Sequence, residues 1–184
     1  MKKIFISIAA CISLFGCGKN NSNTAVDQTQ NKAEIKTENW QVIHAKDEMR
    51  GSENNWLATR STNNADLSFP YDGENRLQLD VVDVGKTEQR LFLTIDKGQY
   101  DCASYGCDIV VKFGNAPLQI INFTRYDVPG NDGRILIYSP NSNFFIKNLE
   151  NFNQITIEVP FYKDGTRQFK FDTSGFKKRL REIQ

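Results

Sequence analysis

Short runs in which apolar and polar residues alternate recur along most of this 184-residue sequence. Two of them, Arg76 to Val84 and Gln89 to Asp96, have an apolar residue at every second position, and Gly85 to Glu88 joins them as a hairpin. Successive side chains of a strand point to opposite faces, so this period buries one face of a sheet. Further runs of this kind cover 40–45, 56–62, 108–113, 118–124, 133–138, 154–162 and 167–171. We therefore predict a mainly β fold of about nine strands, as an antiparallel sandwich or an open barrel.

Helical spacing occurs only late in the chain. In Pro140 to Asn151 the spacing of apolar residues predicts an inserted helix, with Ser139 or Asn141 as its cap. A C-terminal helix is predicted after Gly175, with an apolar and a basic side. Its apolar residues are Phe176, Leu180 and Ile183, and its basic residues are Lys177, Lys178, Arg179 and Arg181. The basic side is either solvated or in contact with anionic lipid headgroups.

The first 16 residues have the order of an export signal. Lys2 and Lys3 precede an apolar run, Ile4 to Phe15, that is too short to span a bilayer as a stable helix. The run ends in Leu14-Phe15-Gly16-Cys17, which resembles a bacterial lipoprotein signal. This resemblance implies a signal peptide at 1–16 and acylation of Cys17, whose several acyl chains would anchor the protein in a membrane. An ordinary secretory peptide and an uncleaved anchor are the alternatives, and all three place the rest of the chain outside the cytoplasm.

Residues 18–38 contain almost no apolar side chains. We therefore predict that 17–38, from the lipidated cysteine onward, forms a disordered tether and that 39–184 forms a single domain. A tether of 21 residues spans roughly 25 Å on average. Without Lys2 and Lys3 the chain has 21 basic residues against 22 acidic ones, a balance that does not indicate a nucleic-acid partner.

Four cysteines occur in the sequence, and two of them, Cys11 and Cys17, belong to the export segment. In an oxidising compartment the remaining two, Cys102 and Cys107, are expected to form a disulfide. The four residues between them include Ala103, Ser104 and Gly106 and can turn the chain within bonding distance. Closing such a loop stabilises a fold by about 2 kcal/mol. A metal site would need further ligands, but His44 is the only histidine in the sequence. A redox-active pair more typically has two residues between its cysteines, beside a helix.

Several segments together resemble a broad group of uncharacterised proteobacterial secreted proteins and lipoproteins. The closing part is also remotely similar to the invasion-associated locus B proteins and to periplasmic accessory proteins of type VI secretion. The segments are 47–51, Gly98 to Cys107, 135–138, 144–152, 155–162, 165–169 and 171–176. The resemblance implies a β-sandwich in the cell envelope and carries no catalytic residues with it.

The sequence contains few features of an enzyme active site. The sequence has no G-x-S-x-G elbow, no glycine-rich phosphate loop and no H-E-x-x-H motif. His44 is a possible general base, although a histidine in a strand is more often structural. Asp80 and Asp83 point to opposite faces by alternation, and Tyr126 to Gly133 lacks the acidic spacing of a calcium loop. We predict no catalytic residues, no metal site and no cofactor.

Tyr100 and Tyr105 form a candidate binding loop with the disulfide, because tyrosine supplies contact area at low entropic cost. The alternative is that Tyr100 packs beneath its hairpin and Tyr105 is a plain exposed tip. Gly18, rather than Asp, follows Cys17, and by resemblance to lipoprotein sorting this favours the outer membrane, facing the periplasm. We therefore expect a lipid-anchored, non-enzymatic binding or accessory module with an envelope protein as partner. A prophage-type lipoprotein that occupies an outer-membrane receptor and an envelope hydrolase are the alternatives.

Overall fold

The structure, a computed structural model, describes residues 39–84, 86, 88–130, 132–138 and 142–183. Within these residues it contains nine strands and two helices, and every pair of neighbouring strands is antiparallel. The strands are β1 (Gln41–Asp47), β2 (Ser52–Arg60), β3 (Leu77–Val82), β4 (Arg90–Ile95), β5 (Cys107–Phe113), β6 (Gln119–Arg125), β7 (Ile135–Tyr138), β8 (Gln154–Phe161) and β9 (Gly165–Asp172). The helices are α1 (Asn143–Asn151), inserted between β7 and β8, and α2 (Phe176–Ile183), which follows β9. The predicted mainly β, antiparallel fold with one inserted and one C-terminal helix is confirmed.

Several predictions fall outside the described residues. They are the signal peptide at 1–16, the acylated Cys17, the tether over 17–38, and Ser139 and Asn141 as caps of the inserted helix. Among the described segments, no helix is long and apolar enough to cross a membrane.

The nine described strands form one sheet in the order β1-β2-β3-β4-β7-β6-β5-β8-β9, which does not close into a barrel. Strand β6 links its two halves. Residues 119–123 of β6 pair with β5, whereas Thr124 and Arg125 pair with β7. The chain therefore passes from one half of the sheet to the other within a single strand.

The core lies between the two halves of the sheet. Alternate residues of β3 and β4 are fully buried, and so are alternate residues of β5 and β8. All of them belong to one hydrophobic cluster, so the halves pack face to face as a sandwich. The buried apolar residues of these strands are Leu77, Leu79, Val81, Leu91, Leu93, Ile95, Cys107, Ile109, Val111, Phe113, Ile155, Ile157, Val159 and Phe161. The faces predicted from alternation are confirmed.

Both helices pack on the core. Phe145 of α1 lies edge-on against Phe113 with ring centroids 5.0 Å apart, and Phe176 of α2 lies 4.8 Å from Trp40. Helix α1 begins at Asn143, three residues after the predicted start at Pro140, and its N-cap residue is Ser142 rather than the predicted Ser139 or Asn141. The Ser142 hydroxyl at its N-terminus donates to the Gln89 carbonyl at 2.7 Å, which fastens α1 to the segment before β4.

A segment that follows β2 covers the outer edge of β9. The Thr62 amide donates to the Lys170 carbonyl at 2.7 Å. The Asn63 side chain adds two more bonds, because its oxygen accepts from the Lys170 amide at 2.7 Å and its nitrogen donates to the Gln168 carbonyl at 2.9 Å. The edge strand β9 therefore does not offer these groups to another chain.

Candidate functional site

The loop between Cys102 and Cys107 is closed by a disulfide, with Cα atoms 4.6 Å apart, as predicted. Inside the ring the Gly106 amide donates to the Ala103 carbonyl at 3.1 Å. Gly106 has a φ of +141°, and a Cβ at this position would lie 2.3 Å from the Asn122 side chain on β6. Only glycine fits both this backbone conformation and this close approach. The sequence Gly106-Cys107 thus sets the loop directly against β6.

The base of the loop is fixed to strand β8 and strand β6. The Asp101 amide donates to the Pro160 carbonyl at 3.0 Å, and the Tyr162 amide donates to the Gln99 carbonyl at 2.9 Å. From β6, the Arg125 guanidinium donates to the Tyr100 carbonyl at 3.2 Å. The loop is therefore held by hydrogen bonds on two sides and by the disulfide across its neck.

Tyr100 is fully buried. Its hydroxyl donates to the Leu93 carbonyl at 3.1 Å, and its ring stacks on Phe161 with centroids 5.5 Å apart. Burial raises the pKa of the Tyr100 hydroxyl well above its ordinary value, so the hydroxyl stays protonated and remains a donor. Tyr100 belongs to the core, as in the alternative given above, and Tyr105 stays the candidate contact residue of the pair.

Tyr105, at the tip of the loop, is 81% exposed. Two further aromatic residues that the sequence analysis did not single out are also more than half exposed, Phe69 at 89% and Tyr162 at 51%. Phe69 lies in the connection between β2 and β3, and Tyr162 lies in the β8–β9 hairpin. A sequence signal exists for Tyr162, since it follows the last buried residue of β8 and precedes the Asp164-Gly165 turn.

Hydrogen bonds bring the segments that carry these rings together. The Ser68 amide donates to the Asp164 carboxylate at 2.9 Å, which ties the Phe69 segment to the β8–β9 hairpin. The hydrogen bonds from the Ser68 side chain and from the Ser68 amide lower the pKa of the Asp164 carboxyl. The hairpin is in turn bonded to Gln99 at the base of the disulfide loop. We call the surface formed by 66–72, 98–106 and 162–165 the loop end.

A groove of about 360 Å³ lies beside Tyr105 at the loop end. Its lining combines the disulfide loop with the end of β6 and contains both polar and apolar surface. The lining residues are Cys102, Ala103, Ser104, Tyr105, Gly106, Thr124, Arg125 and Asp127. Backbone groups, a guanidinium and a carboxylate in this groove are suited to hydrogen-bonding a polar segment of a partner beside the aromatic tip.

The other residues considered as catalytic or metal-binding have structural partners. His44 is exposed on β1, and its Nδ1 lies 2.7 Å from the Asn55 side-chain oxygen. Asp83 pairs with Lys86 and Arg90 beyond the end of β3. In the part of the chain that the structure describes, no group of three or more His, Cys, Asp or Glu side chains is placed to hold a metal ion.

Asp80 is an acidic side chain buried on the outer side of β3, with 7% of its surface exposed. The Trp56 indole donates to its carboxylate at 3.1 Å, and the Gln78 amide donates to both oxygens at 3.0 and 3.1 Å. Burial raises the pKa of Asp80 more than these two donors lower it. Alternation predicted the side of the strand on which Asp80 lies but not its burial.

Comparison with known proteins adds no relative. No protein-family model, no curated protein and no solved structure matches this chain significantly.

Proposed function

We propose that this chain is a lipid-anchored protein of the bacterial cell envelope whose β-sandwich is a non-enzymatic binding module, with the loop end as its contact surface. The export segment and Cys17 support the anchor, as argued from the sequence. Gly18 after the acylated cysteine supports the outer membrane, on the side that faces the periplasm. The expected partner is an envelope protein.

The observation that carries this proposal is a set of exposed aromatic rings on segments that hydrogen bonds hold in place. Phe69, Tyr105 and Tyr162 are each more than half exposed, and the segments that hold them are joined by backbone and side-chain hydrogen bonds. Exposed aromatic residues are typical anchors of protein interfaces. Segments that are already ordered lose little conformational entropy on binding, so such a surface gains affinity from preorganisation.

The anchor is tested by replacing Cys17 with Ser in the full chain. In cells supplied with labelled palmitate, we expect label on the parent and none on the variant. The variant precursor should remain unprocessed or appear in the soluble fraction. Equal labelling and equal membrane fractionation of the two chains would contradict the anchor.

The contact surface is tested by affinity capture from intact envelopes, with the captured protein identified by its mass. Tyr105→Ala should leave stability within about 0.5 kcal/mol of the parent, because the side chain is exposed, and should reduce capture. Met49→Ala is the matched control, since Met49 is 93% exposed in the β1–β2 turn, outside the loop end. Capture by Tyr105→Ala, Phe69→Ala and Tyr162→Ala at the parent level would refute the loop end as the contact surface.

Variants without the disulfide distinguish a loss of stability from a loss of binding in the same capture experiment. Cys102→Ser combined with Cys107→Ser should destabilise the domain by about 2 kcal/mol on the loop-entropy model and should also weaken capture. Tyr105→Ala should weaken capture without the loss of stability. A double variant that captures the partner as well as the parent would show that the closed ring does not preorder Tyr105.

A further inference from the structure

The chain joins the domain directly beside α2. The Asn39 side chain donates to the Ser174 hydroxyl at 3.1 Å, and the Trp40 indole donates to the Thr173 carbonyl at 3.2 Å. The Trp40 ring packs on Phe176, the first residue of α2, at 4.8 Å. Any anchor that precedes residue 39 is therefore connected to the domain at the N-terminus of α2.

Helix α2 presents a basic side to the outside. Phe176 and Leu180 are buried and hold its inner side on the core. The outer side carries three exposed basic residues, Lys177, Lys178 and Arg181. The one acidic residue of the helix, Glu182, pairs with Arg179 at 2.5 Å. Helix α2 has four basic residues and one acidic residue, so the helix carries a net positive charge.

We propose that the outer side of α2 contacts the anionic phospholipid headgroups of the bilayer that holds the anchor. This inference rests on the proposed function, because it takes Cys17 as the site of the lipid. If the 21 residues between Cys17 and Asn39 form the disordered tether predicted from the sequence, their average reach is roughly 25 Å, and anchoring at Cys17 then raises the effective concentration of α2 at the bilayer surface. Each basic residue near an anionic surface favours contact by about fivefold.

Contact between α2 and the bilayer also determines which way the loop end faces relative to the bilayer. Strand β9 begins at the β8–β9 hairpin, which belongs to the loop end, and finishes just before α2. Its eight residues separate the two by roughly 23 Å. When α2 contacts the bilayer, the loop end therefore faces away from the bilayer. An envelope protein can then reach Phe69, Tyr105 and Tyr162.

The test uses the full acylated chain in vesicles of phosphatidylcholine alone or of phosphatidylcholine mixed with phosphatidylglycerol. A water-soluble amine-acylating reagent measures the accessibility of each lysine by mass spectrometry. We expect Lys177 and Lys178 to react at least about fivefold more slowly in the vesicles that contain phosphatidylglycerol. Lys163, at the tip of the β8–β9 hairpin, is the internal control and should react at the same rate in both.

A charge variant checks that the protection comes from the basic side of α2. Lys177→Gln with Arg181→Gln leaves the buried residues of α2 unchanged and should shift the balance between contact and detachment by about 25-fold, which restores the reaction of Lys178. Lys46→Gln is the control and should change nothing, because Lys46 is exposed on β1 and lies outside both α2 and the loop end. Restoration of Lys178 only by the α2 variant would support the contact.

Four results would overturn the inference, and they are distinguishable from one another. A chain without lipid on Cys17 would refute the anchor and, with it, this contact. An anchored chain whose Lys177 and Lys178 react equally in both kinds of vesicle would refute the contact alone. Slower reaction of Lys163, rather than of Lys177 and Lys178, in the vesicles that contain phosphatidylglycerol would show that the loop end and not α2 faces the bilayer. Protection that appears only when envelope proteins are added would assign α2 to a protein partner.

Discussion

Tyr100 and Tyr105 lie in one short loop, yet one is buried and the other is exposed. Tyr100→Phe removes the hydroxyl that donates to the Leu93 carbonyl in the core and should lower the free energy of unfolding by about 1 kcal/mol. Tyr105→Phe is the matched control and should stay within about 0.5 kcal/mol of the parent. Urea denaturation followed by circular dichroism measures both changes. Equal losses for the two variants would show that the buried hydroxyl contributes no net stability.

Asp80 gives a residue-scale prediction about pH. Its pKa is raised in the folded state by burial, so the unfolded chain loses this proton first as the pH rises. Below its ordinary pKa of 3.8 the carboxyl is protonated in both the folded and the unfolded chain, so it does not change the free energy of unfolding with pH. As the pH rises from 3.8 through the raised pKa of the folded state, the carboxyl lowers the free energy of unfolding progressively.

Asp80→Asn keeps an oxygen for the Trp56 indole and removes the titration. We expect the stability of this variant relative to the parent to increase with pH from the ordinary pKa of Asp upward and then to level off. Chemical denaturation of both proteins over a series of pH values measures the difference, in which the other carboxyl groups cancel. A difference that stays constant with pH would contradict the raised pKa.

At the scale of elements, the junction between β9 and α2 depends on Gly175. Its φ is +84°, and a Cβ there would meet nothing within 4 Å, so the backbone conformation and not the available space requires glycine. Gly175→Val should cost about 1–2 kcal/mol and lower the midpoint of thermal unfolding by several degrees. Gly175→Asn should cost less, because asparagine tolerates this conformation better. If Val and Asn lower the midpoint equally, or not at all, the junction does not require positive φ.

At the scale of the whole molecule, Asn63 joins the segment after β2 to the edge strand β9, which is more than 100 residues later in the sequence. Asn63→Ala removes both hydrogen bonds and should lower the free energy of unfolding by about 2 kcal/mol. It should also expose backbone groups of β9 and increase self-association.

Asn64→Ala is the matched control for this change, because the Asn64 side chain bonds to Arg76 on the exposed surface and not to β9. Thermal unfolding and analytical ultracentrifugation measure the two effects. A monomeric Asn63→Ala variant with parental stability would show that Thr62 alone covers the edge.

The sequence determined the features that depend on local order. Alternation placed Leu77, Leu79 and Val81 on one buried face, because the period of a strand is two wherever the strand is in the fold. The spacing of apolar residues placed Phe145 and Leu149 on the buried side of α1 for the corresponding reason. A turn between two cysteines five positions apart brings them within bonding distance, so the Cys102–Cys107 pair was also predictable.

The tertiary structure alone decided which distant segments meet. Alternation gives each strand an inner face but not its neighbours, and the order in which β4 pairs with β7 and β5 pairs with β8 depends on contacts between residues far apart in sequence. For the same reason Phe69 and Tyr162 could not be placed beside Tyr105 from the sequence, since they lie 36 and 57 positions away from it. Asp80 lies on the strand face that alternation leaves to water, yet it is buried in the folded sheet, where Trp56 and Gln78 donate hydrogen bonds to its carboxylate.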